Sequence, residues 1–204
     1  MVVVLALGIF GGNAADKIHF EQNFDAQEVG TIPKEFLVLA GEFAVAVEEG
    51  SHVLKLPGAP LDTFGALFGE ASREAGYVEG KFFGTRQGRK FPSFGIGMAG
   101  VQGYRLQVSP AKGQIEILKG EEVVVSVPYE WKSGAWLNLR LMLVKKEKTW
   151  EVEGYAWKDG GEVPGQPLIR LEIGEQPEAG RCSIWGSPYA GTPILFDSIR
   201  WVLK

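Results

Sequence analysis

Five β-type segments follow one another over residues 103–157, and this series limits the fold more than any other part of the chain. The segments read YRLQV, QIEIL, VVVSVPYEW, WLNLRLMLV and TWEVEGYAW, and turn residues separate them. β-branched and aromatic residues favour a pleated strand, whereas Gly, Pro and Asp favour turns. Short strands at this spacing, with no helical periodicity between them, predict an all-β fold: a two-sheet antiparallel β-sandwich.

The length of the chain fits one domain of this class. A sandwich built from 204 residues can bury a sizeable core without disulfides. We expect residues 16–204 to form this single domain, with its first strand (residues 20–25) paired to its last (residues 194–203), because that pairing protects two sheet edges. The one cysteine, Cys182, lies in a strand-like run, and we expect it to be a buried, inert thiol.

An apolar run at residues 2–10 precedes this domain and is followed by the small residues GGNAA. The run is too short to cross a membrane as a helix. It has the pattern of a signal-peptide remnant over residues 1–15, cleaved near Ala14 or Ala15, although no Lys or Arg follows Met1. The alternative is a first strand. We expect an exported protein, periplasmic or extracellular, without a membrane span.

The charge of the chain argues against a nucleic-acid partner. The net charge is −4 at pH 7, and the basic residues form no stripe. Domains that bind nucleic acids carry clustered Lys and Arg on one face or along one helix. We therefore expect no nucleic acid among its partners.

Four segments spread over the chain carry a more specific pattern. They are FEQNFDAQEVGTIP, GEFAVAVEEGSHVLKL, EWKSGAWLNLRLML and FDSIRW. In this order they resemble the concanavalin A-like lectin/glucanase superfamily of jelly rolls and, within it, the laminin G-like and 3-keto-disaccharide-hydrolase-like domains. The resemblance implies sugar binding or sugar cleavage, but the superfamily is functionally mixed, so it does not choose between them.

One motif of the hydrolytic branch is missing. Its laminarinases and lichenases carry E-x-D-x-x-E on one strand, and this chain has no such motif. The nearest pair is Glu151 and Glu153, whose side chains would lie about 6–7 Å apart along a strand. They are the catalytic candidates if the protein is a glycosidase, which needs an acid and a base at fixed spacing.

Residues 136–144 and 150–157 predict a β-hairpin with one apolar and one polar face. Alternation places Leu137, Leu139, Leu141 and Leu143 on the apolar face. A four-residue loop at residues 145–148 would put Leu143 opposite Trp150. The same register would put Arg140 opposite Glu153.

The polar face of this hairpin has the residue types of a carbohydrate site. It holds Trp136, Asn138, Arg140, Glu153, Tyr155 and Trp157. If the strand at residues 104–108 shares the sheet, Arg105 and Gln107 extend the surface, and we expect a glycan to bind on a concave sheet face. The alternative is a solvated outer face, on which a surface pair between Arg140 and Glu153 contributes under ~1 kcal/mol.

Asp25 and Asp197 each follow a Phe near one end of the predicted domain. The resemblance implies that a structural calcium can lie where these ends meet, because Ca²⁺ takes carboxylate and backbone oxygens. The alternative is that both aspartates cap turns. We expect no other cofactor.

Three functions follow from these patterns. The first is a carbohydrate-binding, lectin-like module of an exported protein, with a glycan or oligosaccharide as its partner. The second is a glycoside hydrolase of the 3-keto-disaccharide-hydrolase type. The third is a structural or interaction domain without a small ligand.

Overall fold

The computed structural model of the protein describes residues 17–204, and the predicted signal remnant at residues 1–15 lies outside them. Fifteen strands form nearly all of the regular structure. They are β1 (Lys17–Gln22), β2 (Phe36–Ala40), β3 (Ala44–Glu48), β4 (Ser51–Leu56), β5 (Phe64–Ser72), β6 (Gly76–Gly84), β7 (Ser93–Met98), β8 (Tyr104–Ser109), β9 (Gln114–Lys119), β10 (Glu122–Pro128), β11 (Leu137–Lys145), β12 (Trp150–Lys158), β13 (Ile169–Ile173), β14 (Gly180–Ser187) and β15 (Ile194–Leu203). No helix within residues 17–204 is long and apolar enough to cross a membrane.

The strands form two sheets, as predicted. The first sheet runs in the order β13-β12-β11-β6-β15-β4-β3, with β1 added along β15, and the second runs in the order β10-β9-β8-β7-β14-β5-β2. Neighbouring strands within the sheets pair antiparallel. β1 pairs with β15, with Lys17 opposite Leu203, so the predicted pairing of the first and last strands is confirmed. The fold is an all-β, two-sheet antiparallel jelly roll.

Side chains from both sheets meet in one core. The alternating pattern of β11 buries Leu137, Leu139, Leu141 and Leu143 there, which confirms the predicted apolar face. Phe82 of the first sheet stacks on Phe94 of the second, with the ring centroids 5.5 Å apart. Burying one side chain of this size contributes about 1.5–3 kcal/mol, so this core fixes the two sheets against each other.

The hairpin of β11 and β12 has another register than the one predicted. Leu143 lies opposite Val152, and Lys145 lies opposite Trp150. The loop has four residues in both registers, now residues 146–149, so loop length does not separate them. The shift is two residues, which is one full period of the pleat, and every side chain therefore keeps its predicted face.

Cys182 lies in the core with 1% of its surface exposed, which confirms its predicted burial. That burial raises the pKa of the thiol well above its ordinary value. Because the thiolate is the nucleophile, a thiol in this position is unreactive.

Candidate functional site

The outer face of the first sheet carries the predicted ligand-binding residues of β11 and β12. We call it the arginine face and define it by Tyr77, Glu79, Arg140, Tyr155 and Trp157. Arg140 donates a hydrogen bond from Nε to Glu79 Oε2, and its Nη2 forms an ion pair with the same oxygen. Its guanidinium also lies 4.2 Å from the ring centroid of Tyr77 and 5.5 Å from that of Trp157. The protein itself thus supplies both the carboxylate and the rings that Arg140 contacts.

Glu79 is shared between two arginines. Its second oxygen, Oε1, accepts a hydrogen bond from Arg200 Nε, and Glu79 is only 9% exposed. The predicted pair between Arg140 and Glu153 is wrong, because the register places Tyr155 opposite Arg140 on β12 and Glu79 opposite it on β6.

Glu153 and Tyr155 form a second buried pair on this face. Tyr155 Oη donates to Glu153 Oε2 at 2.6 Å, and both residues are buried. Burial, followed by the hydrogen bond to Glu153, raises the pKa of Tyr155 to about 12. Tyr155 therefore remains a protonated donor at neutral pH and holds the Glu153 carboxylate in place.

Both carboxylates considered for catalysis have partners within the protein. Glu151 lies 3.0 Å from Lys146 Nζ and 3.5 Å from Arg170 Nε, and Glu153 accepts the bond from Tyr155. The two point to the same side of one strand, whereas a glycosidase places its acid and base around the bond to be cleaved. A catalytic role for them stays a prediction.

The arginine face also has a small hydrophobic layer of its own. Tyr77, Met142, Tyr155 and Val202 form this cluster, and Val144 and Trp157 pack against it. The rings that were predicted to stack on a sugar are therefore already in contact with neighbours. A ligand would have to compete with those contacts.

Asn138 and Trp136 lie at one end of this face. Asn138 is opposite Lys81, which forms an ion pair of 2.9 Å with Asp159. Burial raises the pKa of Asp159, but hydrogen bonds from Lys81 and Asn138 lower it more, and the net pKa lies below its ordinary value. Asn138 is thus part of a polar cluster rather than a free hydrogen-bonding group.

Trp136 lines a separate feature, which we call the tryptophan cleft. It has a volume of about 310 Å³, and Tyr129, Trp131, Trp136 and Lys158 are among its lining residues. Trp136 packs against Phe83 with the ring centroids 5.5 Å apart. The cleft offers a second aromatic surface at the end of the sandwich, away from Arg140.

Arg105 and Gln107 lie on the other side of the molecule. Their strand, β8, is in the second sheet between β7 and β9, and its residues Leu106 and Val108 point into the core. Arg105 and Gln107 therefore belong to the outer face of the second sheet. The expectation that they share a sheet with β11 and β12 is wrong, because alternation shows which residues leave the core but not which sheet holds the strand.

Arg105 reaches across β7 to Trp185 of β14. Its guanidinium lies 4.7 Å from the Trp185 ring centroid. Gly97 faces Arg105, and Gly95 faces Trp185, so β7 has no side chain at these positions to separate the two residues. Trp185 Nε1 donates to Ser183 Oγ at 2.8 Å, which fixes the indole on the sheet.

A cavity of about 380 Å³ lies beside this pair, and we call it the Arg105 cavity. Its lining consists of Asp62, Thr63, Val101, Arg105, Gly120, Glu121 and Trp185. The cavity thus combines a guanidinium donor, two carboxylates, a hydroxyl and a partly exposed indole. The loop at residues 57–63 precedes β5 and brings in Asp62, and a two-residue turn joins β9 to β10 and brings in Glu121.

The guanidinium of Arg105 is not satisfied by the protein. The residue is 9% exposed, and its Nε has no hydrogen-bond partner among the described residues. Burial lowers its pKa, while the charges of Glu121 and then Glu116 raise it. An unpaired buried donor costs about 1–3 kcal/mol, and the guanidinium that carries it lines the cavity, where it can donate to a ligand.

Gln107, by contrast, belongs to a hydrogen-bonded chain on the same face. Its Nε2 donates to Ser109 Oγ at 3.1 Å, and Ser109 Oγ donates to Glu116 Oε2 at 2.6 Å. Lys112 Nζ completes the chain at 2.8 Å from Glu116 Oε1. These contacts hold Gln107 in place, and a role in binding stays a prediction.

Asp62 and Glu121 were not among the predicted site residues. The signal for a flat outer face lay in the SFGIGM run of β7, where glycine alternates with apolar residues. Nothing in the local sequence of Asp62 or Glu121 points to the cavity, because they lie on a loop and a turn at its two flanks.

Asp25 and Asp197 lie close enough for their charges to interact. Burial raises the pKa of Asp197, and the charge of Asp25 adds to this rise. Hydrogen bonds from Ser198 and the charge of Lys81 lower the pKa, but the net pKa still lies above its ordinary value. Asp197 Oδ1 accepts from the Ser198 backbone N–H at 2.6 Å. Within residues 17–204 there is no group of three or more metal-ligating side chains, whereas Ca²⁺ takes six to eight oxygens. Calcium binding here stays a prediction.

Comparison with known proteins identifies the fold. No protein-family model matches the sequence, and no curated protein matches it either. Lectin II from Ulex europaeus superposes with a TM-score of 0.59 at 12% identity, over 91% of this chain and 98% of the lectin. This chain has the concanavalin A-like jelly-roll fold. The jelly roll of the carbohydrate binding module CBM66 from Bacillus subtilis matches with a TM-score of 0.55 at 9% identity, over 81% of this chain and 93% of that module.

A third similar structure belongs to a larger protein. The GH43 protein BlXynB from Bacillus licheniformis matches with a TM-score of 0.61 at 11% identity, over 90% of this chain but 39% of that protein. At such identities a common jelly roll is what the comparison shows. Functional assignment therefore depends on the residues of the cavities and faces described above.

Proposed function

We propose that the protein is a lectin-like carbohydrate-binding module and that it binds a glycan in the Arg105 cavity. The observation that carries this proposal is that the largely buried Arg105 guanidinium, whose Nε is unpaired, lines the cavity beside the Trp185 ring. Structurally similar proteins include a carbohydrate binding module and a lectin, which supports the same class of function.

The lining of the cavity matches the chemistry of a sugar. A sugar presents hydroxyl groups that both donate and accept, and it presents C–H groups that pack on rings. The carboxylates of Asp62 and Glu121 accept from hydroxyls, and Arg105 donates to a sugar oxygen. The indole of Trp185 supplies the apolar surface, since aromatic rings provide large contact areas and retain a polar handle.

The proposal includes export of the module to the periplasm or the cell exterior, as a laminin G-like domain of a secreted protein. The apolar run at residues 2–10, followed by GGNAA, supports this part. Mass spectrometry of the protein recovered from the culture medium or periplasm tests it, and a mature chain that begins near Ala14 or Ala15 is the expected result. Recovery of the whole chain from the cytosol alone would contradict it.

Glycan binding is tested with the full chain on a glycan array, followed by titration calorimetry of the best ligand. Arg105→Lys keeps the charge but loses the planar fork of donors, and Trp185→Phe keeps a ring but loses the indole. Both are expected to weaken binding at least roughly tenfold, which corresponds to the loss of one hydrogen bond to a charged group.

Trp157→Phe is the matched control, because Trp157 also lies beside an arginine but on the opposite face of the sandwich. It is expected to bind as the unchanged protein does. If folded protein binds no glycan on the array, or if Arg105→Lys and Trp185→Phe both bind normally, the proposed site is wrong. Turnover of a glucoside or 3-keto-glucoside that depends on Glu153 would favour the hydrolase alternative instead.

A further inference from the structure

The charges that line the Arg105 cavity do not balance. Arg105 is its one basic residue, and Asp62 and Glu121 are its two acidic residues, so the lining has a formal charge of −1. The two carboxylates are exposed, whereas Arg105 is 9% exposed. A ligand that approaches from solvent therefore meets negative charge first.

The acidic residues sit on the two flanks of the cavity. Asp62 precedes β5, and Glu121 lies between β9 and β10, on either side of the strands that carry Arg105 and Trp185. Four strand spacings separate β9 from β5, which is about 19 Å. Any ligand that reaches Arg105 therefore lies between the two carboxylates.

A hydrogen bond fixes the orientation of Asp62, and a backbone hydrogen bond holds the turn that carries Glu121. Asp62 Oδ1 accepts from the Thr63 backbone N–H at 2.7 Å, and Gly120 N–H donates to Gly103 O at 2.9 Å. Glu121 acts on Arg105 through its charge, and no ion pair joins the two within residues 17–204. The charge of the guanidinium is therefore partly offset, while the guanidinium still lines the cavity.

Resting on the proposed function, we propose that the Arg105 cavity selects neutral sugars and rejects uronic or sulfated ones, with Asp62 and Glu121 as the specificity-determining residues. A neutral oligosaccharide that spans the cavity gives the Arg105 guanidinium an oxygen acceptor and offers hydroxyl donors to both carboxylates. An acidic sugar gains Arg105 but places its charge between two like charges. Specificity of this kind arises from repulsion of the wrong ligand as well as attraction of the right one.

The test compares matched neutral and acidic oligosaccharides, such as galactan and polygalacturonate fragments, by calorimetry at low and moderate salt. The unchanged protein is expected to bind the neutral ligand and to bind the uronate weakly, with the uronate gaining affinity as salt screens the repulsion. In the double variant Asp62→Asn and Glu121→Gln, uronate affinity is expected to rise by about two- to fourfold at low salt, the effect of removing two like charges that lie on the order of 10 Å from the ligand.

Glu122→Gln is the matched control, because it changes the net charge next to Glu121 at a residue that does not line the cavity. It is expected to leave both affinities unchanged. If the unchanged protein prefers the uronate, or if the double variant gains no uronate affinity, the selectivity proposal is wrong while glycan binding stands. If the unchanged protein binds neither ligand nor any other glycan, the proposed function itself is wrong.

Discussion

Arg105 and Trp185 lie two strands apart and are nevertheless in contact, with the guanidinium 4.7 Å from the indole centroid. The contact exists because the strand between them presents Gly95 and Gly97 to the outer face. On the far side, Gly65 lies opposite Trp185. The strands on both sides of Trp185 thus present glycines to the indole, and the shape of the Arg105 cavity depends on the absence of side chains at these positions.

Gly65→Ala is expected to weaken glycan binding with little loss of stability. A Cβ at this position would lie 2.6 Å from Trp185 Cε3, so the ring must move, and a partly exposed ring can move without unfolding the sheet. Gly95→Ala is the contrast, because its Cβ would lie 2.4 Å from the backbone oxygen of Leu106. Overpacking against backbone costs about 1–3 kcal/mol.

Thermal unfolding and calorimetry on the two variants separate these effects. We expect Gly65→Ala to keep the unfolding temperature of the unchanged protein but to bind glycan more weakly. We expect Gly95→Ala to unfold at a lower temperature. Normal glycan affinity in Gly65→Ala would contradict the position assigned to the indole.

The side-chain faces of single strands could be predicted from sequence, but their partners could not. Leu139 and Arg140 point to opposite faces as expected, because the period of a strand is two residues whatever its register. The pairing of Arg140 with Glu79 was missed because Glu79 comes from a strand 61 residues away. Two registers also give loops of equal length, and the predicted one placed Glu153 opposite Arg140 where the structure has Tyr155.

The candidate site was harder to predict because it is made by sheet order. Arg105 was selected as a ligand-binding residue, but its neighbours were sought on β11 and β12 rather than on β14. No local pattern shows that β8, β7 and β14 are adjacent. Asp62 comes from a loop and Glu121 from a turn, and such segments carry no periodicity from which a common cavity could be inferred.

Glu79→Gln is expected to destabilise the fold by about 1–3 kcal/mol. The substitution leaves Arg140, whose side chain is 13% exposed, without its carboxylate, and an uncompensated buried charge is costly. The expected loss of stability is smaller than for a fully buried ion pair because the Arg200 side chain is 37% exposed. Urea unfolding measures the change in the free energy of unfolding.

Glu151→Gln serves as the control for Glu79→Gln. Its partners Lys146 and Arg170 have side chains that are 44% and 50% exposed, and exposed pairs contribute about 0–1 kcal/mol. Equal losses in the two variants would show that burial of the arginine face does not strengthen its ion pairs.

Trp157→Ala tests which of the two outer sheet faces binds the glycan. Trp157 contacts Arg140 and packs on the small cluster of the arginine face, so its removal is expected to cost about 0.5–1 kcal/mol of stability. Glycan affinity is expected to stay unchanged, because the Arg105 cavity lies on the other sheet. Calorimetry of Trp157→Ala and Trp185→Phe measures the glycan affinity of both variants. Loss of binding only in Trp157→Ala would show that the glycan binds on the arginine face instead.

Asp197→Asn is expected to stabilise the fold at neutral pH and to stabilise it less as the pH falls. Burial, opposed by contacts with Ser198 and Lys81, leaves the pKa of Asp197 above its ordinary value, so the folded state binds the proton more tightly than the unfolded state does. The native stability at this position is therefore greatest below the unfolded pKa and is lost as the pH rises through the folded pKa. Asparagine removes the buried charge and keeps an oxygen for the Ser198 N–H.

Urea unfolding from pH 3 upward, in EGTA and in excess calcium, measures the effect of Asp197→Asn and tests the predicted metal site together. In EGTA the free energy of unfolding of the variant should exceed that of the unchanged protein at neutral pH, and the two curves should converge in acid. If calcium binds at Asp25 and Asp197, excess calcium should stabilise the unchanged protein and not the variant, because ligand binding to the folded state adds to stability. A variant that is less stable in EGTA at neutral pH would show that the Asp197 carboxylate is favourable in its ionised form.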